Sequence, residues 1–258
     1  MKSISLYEDK GTILNKTAPE TKLLYILAAL LVPALTGSRG AGIGLIGCSV
    51  ILLLIGKVFR RTLPVIGVSG FVLLTVVVIQ GMFRPGNETV AFSLGVLTFY
   101  REGLQFALTI VINILNILLS FCVLILTTKP SDLIENLIRR GFSSRLGYVF
   151  VSIFQIIPQM TETMSTITDA QRSRGMETEG NLLTRIRAFL PLISPVVMSA
   201  LVNTKERALA LEVRGFGLHR KKTFINEETK TAADVWLQAA CLLAVAAAFV
   251  WRIARWLM

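Results

Sequence analysis

The stretch GLQFALTIVINILNILLSFCVLILT, from Gly103 to Thr127, contains no charged residue and decides the class of fold. A helix needs about 20 apolar residues to cross the ~30 Å hydrocarbon core of a bilayer, so this run is long enough to span it with tilt. Polar residues recur in it at steps of four, three and four: Thr109, Asn113, Asn116 and Ser120. We therefore predict a membrane-spanning helix that carries one polar face.

This polar face has two interpretations. It can be a seam of hydrogen bonds between helices, which is common where membrane helices pack. It can also contact a substrate path or a partner protein at the membrane face of the protein. We favour the seam.

The composition of the whole chain agrees with a membrane protein. Of 258 residues, 53% are hydrophobic and 17% are charged, and the mean hydropathy is +0.65. Soluble domains carry about a quarter charged residues. The net charge of +11 lies outside the apolar runs. In a membrane protein such charge is typical of the cytoplasmic side, and we expect no nucleic-acid partner.

Four further apolar runs complete the predicted membrane part: Leu23–Leu35, Ala41–Gly56, Leu63–Phe83 and Ala232–Trp251. With an N-terminus in the cytoplasm, five crossings leave all but five of the 27 Lys and Arg on the cytoplasmic side; the five are Arg39, Arg84, Arg101, Arg252 and Arg255. This asymmetry follows the positive-inside rule. We predict an all-α, multi-pass protein of the plasma membrane with about five transmembrane helices.

The sequence contains few residues or motifs that are typical of metal binding, ATP binding or catalysis. The cysteines Cys48, Cys122 and Cys241 lie in separate apolar runs without metal-ligand spacing, and His219 is the only histidine. No GxxxxGK[ST] phosphate loop occurs. We expect no metal site, no ATP site and no catalytic residue in this chain.

The predicted domain organisation has three parts. Residues 1–128 form an N-terminal membrane part, 129–230 a cytoplasmic region with amphipathic helices, and 231–258 a C-terminal transmembrane helix. Within the middle part, the apolar segments Leu146–Pro158 and Ala188–Val202 are short for a crossing. The sequence leaves open whether they cross the membrane, lie at its interface or form a cytoplasmic platform.

The middle part contains two basic amphipathic helices that end alike, in Ser173-Arg174-Gly175 and Val213-Arg214-Gly215. Arginine continues the helix face that carries apolar contacts, at helical spacing from Met164 and Ile167 in the first helix and from Arg207 and Leu211 in the second. Each glycine stands where a left-handed residue ends a helix.

One such ending is ordinary, because a cation in the last turn complements the helix dipole. Two of them in the cytoplasmic part of a membrane protein indicate a shared docking role. The planar guanidinium of arginine suits such a role, since it donates several hydrogen bonds to carboxylates or carbonyls of a partner. We predict that both tripeptides dock partner proteins, supported by Arg172, Arg207, Met164, Ile167 and Leu211.

The chain resembles the transmembrane T component of energy-coupling factor transporters, a class of ABC importers. The resemblance rests on these segments: Ala18–Leu23, Thr127–Leu137, Ile157-Pro158, Ala170–Gly175 and Ala208–Phe216. The family signature is a pair of Ala-Arg-Gly tripeptides. Here Ser173 and Val213 replace the alanines, while the arginine-glycine core is intact.

The resemblance implies a non-catalytic subunit that binds two cytoplasmic ATPase subunits through its coupling helices and a substrate-binding S component through its membrane face. ATP and Mg²⁺ are then bound by the ATPases, and the S component selects the vitamin or metal ion. The sequence does not name that substrate, nor whether the T component is dedicated or shared.

Two other classes of membrane protein are alternatives: a stand-alone transporter and a membrane enzyme. An ion-coupled secondary transporter or another stand-alone permease usually carries ionisable residues in the membrane. No Asp or Glu occurs from Leu23 to Gly81 or from Gly103 to Ser131. A membrane enzyme would need paired carboxylates at metal-ligand spacing inside a membrane cleft, and this sequence has none. Glu177 and Glu179 are close together, but they lie in a predicted surface turn, where we expect them to be solvated.

Overall fold

In the computed structural model, the chain is built from α-helices and one short β-hairpin. The structure describes residues 10–86, 88–94, 97–176, 181–218, 224 and 232–257. The chain divides into two units. We call residues 10–136 with 232–257 the membrane unit, and residues 137–218 with 224 the pair unit.

The membrane unit contains most of the helices. They are α1 (Ile13–Lys16), α2 (Pro19–Thr36), α3 (Arg39–Ile55), α4 (Phe59–Phe83), α5 (Arg101–Thr127), the first residues of α6 (Pro130–Arg139), and α9 (Ala232–Leu257). Among the described residues, α2, α4, α5 and Asp234–Arg255 of α9 are long and apolar enough to cross a membrane. The predicted all-α polytopic fold is therefore confirmed.

The fifth predicted crossing corresponds to α3. This helix is apolar but has 17 residues, which makes it shorter than the other four. At 1.5 Å per residue its length is about 26 Å, slightly less than the hydrocarbon core. Five crossings, rather than four, remain a prediction.

Helix α5 is the centre of the membrane unit, because it packs against α2, α3 and α4. A buried apolar cluster joins Val123 and Leu126 of α5 to Leu53 of α3 and to Val58, just before α4. The outer surface is also apolar: Phe71 on α4 is 74% exposed, and Leu243 on α9 is 70% exposed. Such surfaces are stable only in contact with lipid or another membrane protein.

Helices α4 and α5 approach closely at Gly103. A Cβ atom at this position would overlap the carbonyl oxygen of Gln80 and lie 3.0 Å from the Cα atom of Gly81. Only glycine lets the two backbones come this near.

The connection between α4 and α5 is a β-hairpin. Strands β1 (Val90–Leu94) and β2 (Leu97–Tyr100) pair antiparallel. The rings of Phe92 and Phe99 stack with centroids 4.8 Å apart. This strand pairing was not predicted from the sequence, because each strand is short.

Buried polar groups tie three helices of the membrane unit at one end. Asp234 of α9 accepts hydrogen bonds through Oδ1 from the backbone N–H of Ala18 (2.9 Å) and the hydroxyl of Thr21 (3.1 Å). Lys22 of α2 donates through Nζ to the carbonyl of Thr127 and the hydroxyl of Thr128, both at 3.0 Å. Helix α2 is thereby linked to α9 on one side and to the end of α5 on the other.

The pair unit contains two long helices, α7 (Ser144–Ser173, 30 residues) and α8 (Leu182–Val213, 32 residues). Both continue through internal prolines: Pro158 in α7, and Pro191 and Pro195 in α8. The apolar segments Leu146–Pro158 and Ala188–Val202 are therefore parts of the same helices that end at the arginines. Neither α7 nor α8 is among the four candidate spans found in the described residues.

Candidate functional site: two arginine tips on a crossed helix pair

The two arginine tips end with the same backbone hydrogen bonds. After α7, the N–H of Gly175 donates to the carbonyl of Arg172 (2.9 Å), and that of Met176 donates to the carbonyl of Gln171 (3.1 Å). After α8, Gly215 donates to Glu212 and Phe216 donates to Leu211, both at 2.9 Å. This pair of bonds defines the Schellman motif, in which a left-handed residue closes the helix.

The glycines make this ending possible. Gly175 has φ of 86° and Gly215 has φ of 72°, a region that L-residues with a Cβ atom rarely adopt. The sequence predicted a left-handed glycine at each end, and the backbone agrees. The arginine before each glycine is the C-cap residue, so its position is fixed by the helix end itself.

Both tips are open to contact from outside. Arg174 and Arg214 are exposed, as is Ser173. Val213 is 89% exposed, which is unusual for a large apolar side chain. The hydroxyl of Ser173 donates to the carbonyl of Asp169 within its own helix, at 3.0 Å. Each tip therefore presents a guanidinium on a backbone that is closed by two hydrogen bonds.

Helices α7 and α8 contact each other and run in opposite directions. We call them the crossed pair, and we call their contact at Gln159 and Arg207 the crossing. The ring of Tyr148, near the start of α7, packs against that of Phe216, after the end of α8, with centroids 5.3 Å apart. Further along the pair, Nη2 of Arg207 donates to Oε1 of Gln159 at 2.8 Å. Residue numbers rise on one helix as they fall on the other, so the pair is antiparallel.

This arrangement places the two tips at opposite ends of the pair. Counted from the contact between Gln159 and Arg207, Arg174 lies further along α7, and Arg214 lies in the opposite direction along α8. With a rise of 1.5 Å per residue, the tips are separated by on the order of 30 Å along the pair. The sequence could not predict this separation, because both tips end similar helices.

The residues predicted to support the tips have different surroundings. Met164, Ile167 and Leu211 are half-buried on their helices, and Arg172 is exposed. Arg207 is half-buried, and its guanidinium is bound in the crossing of α7 and α8 rather than at a tip.

The polar face of α5 divides between internal contacts and the surface. The amide nitrogen of Asn116 donates to the carbonyl of Ala29 on α2 at 2.7 Å, and Ser120 is buried and donates to Asn116 of its own helix. Thr109 accepts a hydrogen bond at 2.9 Å from Nε of Arg39. Asn113 is exposed. This face thus contains two interhelical hydrogen bonds, to α2 and from α3, and one asparagine side chain exposed at the surface.

Sequence reasoning missed the residues that hold these helices together. Gln159, Tyr148 and Phe216 fix the pair unit, and Lys22 and Asp234 fix the membrane unit. A usable signal existed for Lys22 and Asp234, since each is a charged residue at the edge of an apolar run. No such signal distinguishes Gln159 from other glutamines.

The described residues contain no group of three or more His, Cys, Asp or Glu that could hold a metal ion. His219, Glu177 and Glu179, which were considered from the sequence, lie outside the described residues.

Comparison with known proteins gives a consistent result. The family model for CbiQ, the cobalt transport protein, matches residues 10–224. The energy-coupling factor transporter transmembrane protein EcfT of Brevibacillus brevis is 27% identical, over 97% of this chain and 98% of its own length. The proteins of the same name from Lactococcus lactis subsp. cremoris and Clostridium kluyveri are 28% and 24% identical, over 81% and 97% of this chain and 82% and 97% of their own lengths.

The family match spans most of the chain and includes both arginine tips. Apolar membrane helices, together with two helices that share the same arginine-glycine ending, are what the family resemblance in the sequence implied. The chain therefore belongs to the CbiQ cobalt transport protein family and is an EcfT-like T component of energy-coupling factor transporters.

Proposed function

We propose that this T component links ATP hydrolysis by two cytoplasmic ATPase subunits to uptake of a vitamin or metal ion through a membrane-embedded S component. The chain itself is non-catalytic in this proposal. Arg174 and Arg214 dock the ATPases, one at each end of the crossed pair. Movement of the ATPases relative to each other is transmitted along α7 and α8.

The observation that carries this proposal is the repetition of one helix ending at two exposed places. Each tip has the same Schellman geometry, and the tips point to opposite ends of the pair. A separation on the order of 30 Å is too large for both arginines to enter one cleft, but it suits two protein domains side by side. Two equivalent docking points fit a partner that works as a pair.

The S component requires a surface within the membrane. The exposed apolar side chains of α4 and α9 supply one that is stable in contact with lipid or another membrane helix. On the other unit, Leu146, Phe150 and Ile157 are exposed along one face of α7. This face suits the membrane interface or the S component.

The orientation follows from the positive charges. We place the N-terminus, the connection between α3 and α4, and both arginine tips on the cytoplasmic side, where the ATPases are. In this arrangement the chain binds no cofactor, and ATP and Mg²⁺ belong to the ATPases. The substrate, and whether this T component is shared among several S components, is decided by the partners.

Affinity purification from native membranes tests the proposal. The full chain, tagged and extracted in mild detergent, is expected to bring down ATPase subunits and a small membrane S component. The purified complex in proteoliposomes should then require ATP for uptake. Recovery of the chain alone, with uptake driven by an ion gradient, would instead favour the secondary-transporter class.

A further inference from the structure

We propose that Arg207 is a positioning residue, which fixes the crossing of α7 and α8 and so sets the separation and direction of the two arginine tips. This inference rests on the proposed function. It gives Arg207 a role different from docking, although the sequence groups this residue with the tips.

The geometry of the guanidinium carries the inference. Nη2 of Arg207 donates to Oε1 of Gln159 at 2.8 Å, and the two residues are on different helices. Both are half-buried. A charged donor held against a neutral amide in partly buried surroundings forms a stronger bond than an exposed surface pair.

The surroundings of this bond include polar groups from both helices, set among the apolar side chains of Ile156, Met160 and Val196. A small cleft between α7 and α8 is lined by Gln159 and Thr163 on one side, and by Ser199, Asn203 and Arg207 on the other. Apolar side chains alone allow two helices to slide or rotate against each other at low cost. A directional hydrogen bond in the crossing specifies one register, as buried polar residues do in coiled coils.

The bond between Gln159 and Arg207 lies far enough from both tips that a small rotation at the bond displaces the tips. Arg174 lies about 20 Å from the crossing along α7, and Arg214 about 10 Å from it along α8. A small change in crossing angle therefore moves the tips by several ångströms relative to each other. If two ATPases pull on the tips, a loose crossing absorbs the movement instead of transmitting it.

Three variants test this role in the complex with its ATPases and S component. Arg207→Gln removes the donor. The exchange Gln159→Arg with Arg207→Gln restores a guanidinium-to-amide bond in the reverse direction. Lys205→Gln is the matched control, because Lys205 is exposed on the same helix and loses the same charge. ATPase co-purification, ATP hydrolysis and uptake are measured for each in proteoliposomes.

We expect Arg207→Gln to keep both ATPases bound and to lose most of the uptake per ATP hydrolysed. The exchanged pair should recover it, and Lys205→Gln should match the parent. Loss of the ATPases from Arg207→Gln would make Arg207 a docking residue and overturn the proposal. Unchanged uptake per ATP, or no recovery in the exchanged pair, would overturn it as well.

A second measurement separates this inference from the proposed function. Spin labels at Asp169 and Leu209, which are exposed on α7 and α8, report the distance between the helices in nanodiscs without any ATPase. We expect Arg207→Gln to broaden or shift that distance distribution, and the exchanged pair to restore it. An unchanged distribution would refute the positioning role, whereas failure of the parent to bind ATPases would refute only the proposed function.

Discussion

Oδ1 of Asp234 lies 2.9 Å from the backbone nitrogen of Ala18, so a side chain from the last helix caps the first long helix of the membrane unit. Ala18 is the N-cap residue of α2 and has no side chain able to accept a hydrogen bond. The carboxylate supplies the missing acceptor and also complements the helix dipole. Two helices more than 200 residues apart in sequence are joined in this way.

We predict that Asp234→Ala lowers the free energy of unfolding by about 1–3 kcal/mol, because it leaves a buried N–H without an acceptor. Asp234→Asn should cost much less, since an amide oxygen can accept the same bonds. Thermal unfolding in detergent compares the two. Equal losses for alanine and asparagine would show that the charge, rather than the acceptor, is what matters.

We predict that each arginine tip docks one ATPase subunit independently of the other tip. Arg174→Ala and Arg214→Ala should each reduce the bound ATPases from two to one per chain, with a loss of about 2–4 kcal/mol at the altered site. The double variant should bind neither and still be inserted in the membrane. Native mass spectrometry of the purified complex counts the subunits.

Lys205→Ala serves as the control for the tip variants, because it removes an exposed positive charge from α8 outside either tip. It should leave both ATPases bound. Undiminished ATPase association and uptake in the double arginine variant would contradict a docking role for the tips.

We predict that Gly103→Ala destabilises the membrane unit by about 1–3 kcal/mol, because the added Cβ atom overlaps the backbone of α4. Gly67→Ala and Gly70→Ala are matched controls on α4, where nothing lies within 4 Å of the added atom. They should be neutral or slightly stabilising, since alanine favours a helix. Thermal unfolding of the three variants checks this, and a Gly103→Ala protein as stable as the controls would contradict the close approach.

We predict that a cysteine at Ser143 is labelled by an impermeant reagent only from the cytoplasmic side, and one at Glu88 only from outside. Both positions are exposed, on opposite predicted sides of the membrane. The background lacks the three native cysteines. Labelling of Ser143→Cys from outside would reverse the topology.

The membrane helices could be predicted from the sequence, because a long run without charge has few other stable structures. The start of α2 was less predictable, because the helix begins at Pro19 and the predicted apolar run begins at Leu23. Lys22 and Asp234 are charged, yet both are buried, because their hydrogen-bond partners lie outside their own helices. Such pairing depends on tertiary contacts, which a single sequence does not reveal.

In the candidate site too, local features could be predicted from the sequence and tertiary contacts could not. The glycine after each arginine predicts the helix ending, because that signal is local. The antiparallel packing of α7 and α8 could not be predicted. No sequence pattern links Tyr148 with Phe216, or Gln159 with Arg207. The full lengths of α7 and α8 were not predicted either, because each helix continues through internal prolines, which usually interrupt a helix.

The Schellman endings bear on the residue that precedes each arginine. Their hydrogen bonds use only backbone atoms and a left-handed glycine, so the shape of the tip does not depend on whether alanine, Ser173 or Val213 comes first. Two tips with different neighbouring side chains thus share one backbone shape. A single kind of socket is enough for that backbone, so the ATPase partners proposed above need not differ: two copies of one protein would fit, as would two diverged relatives.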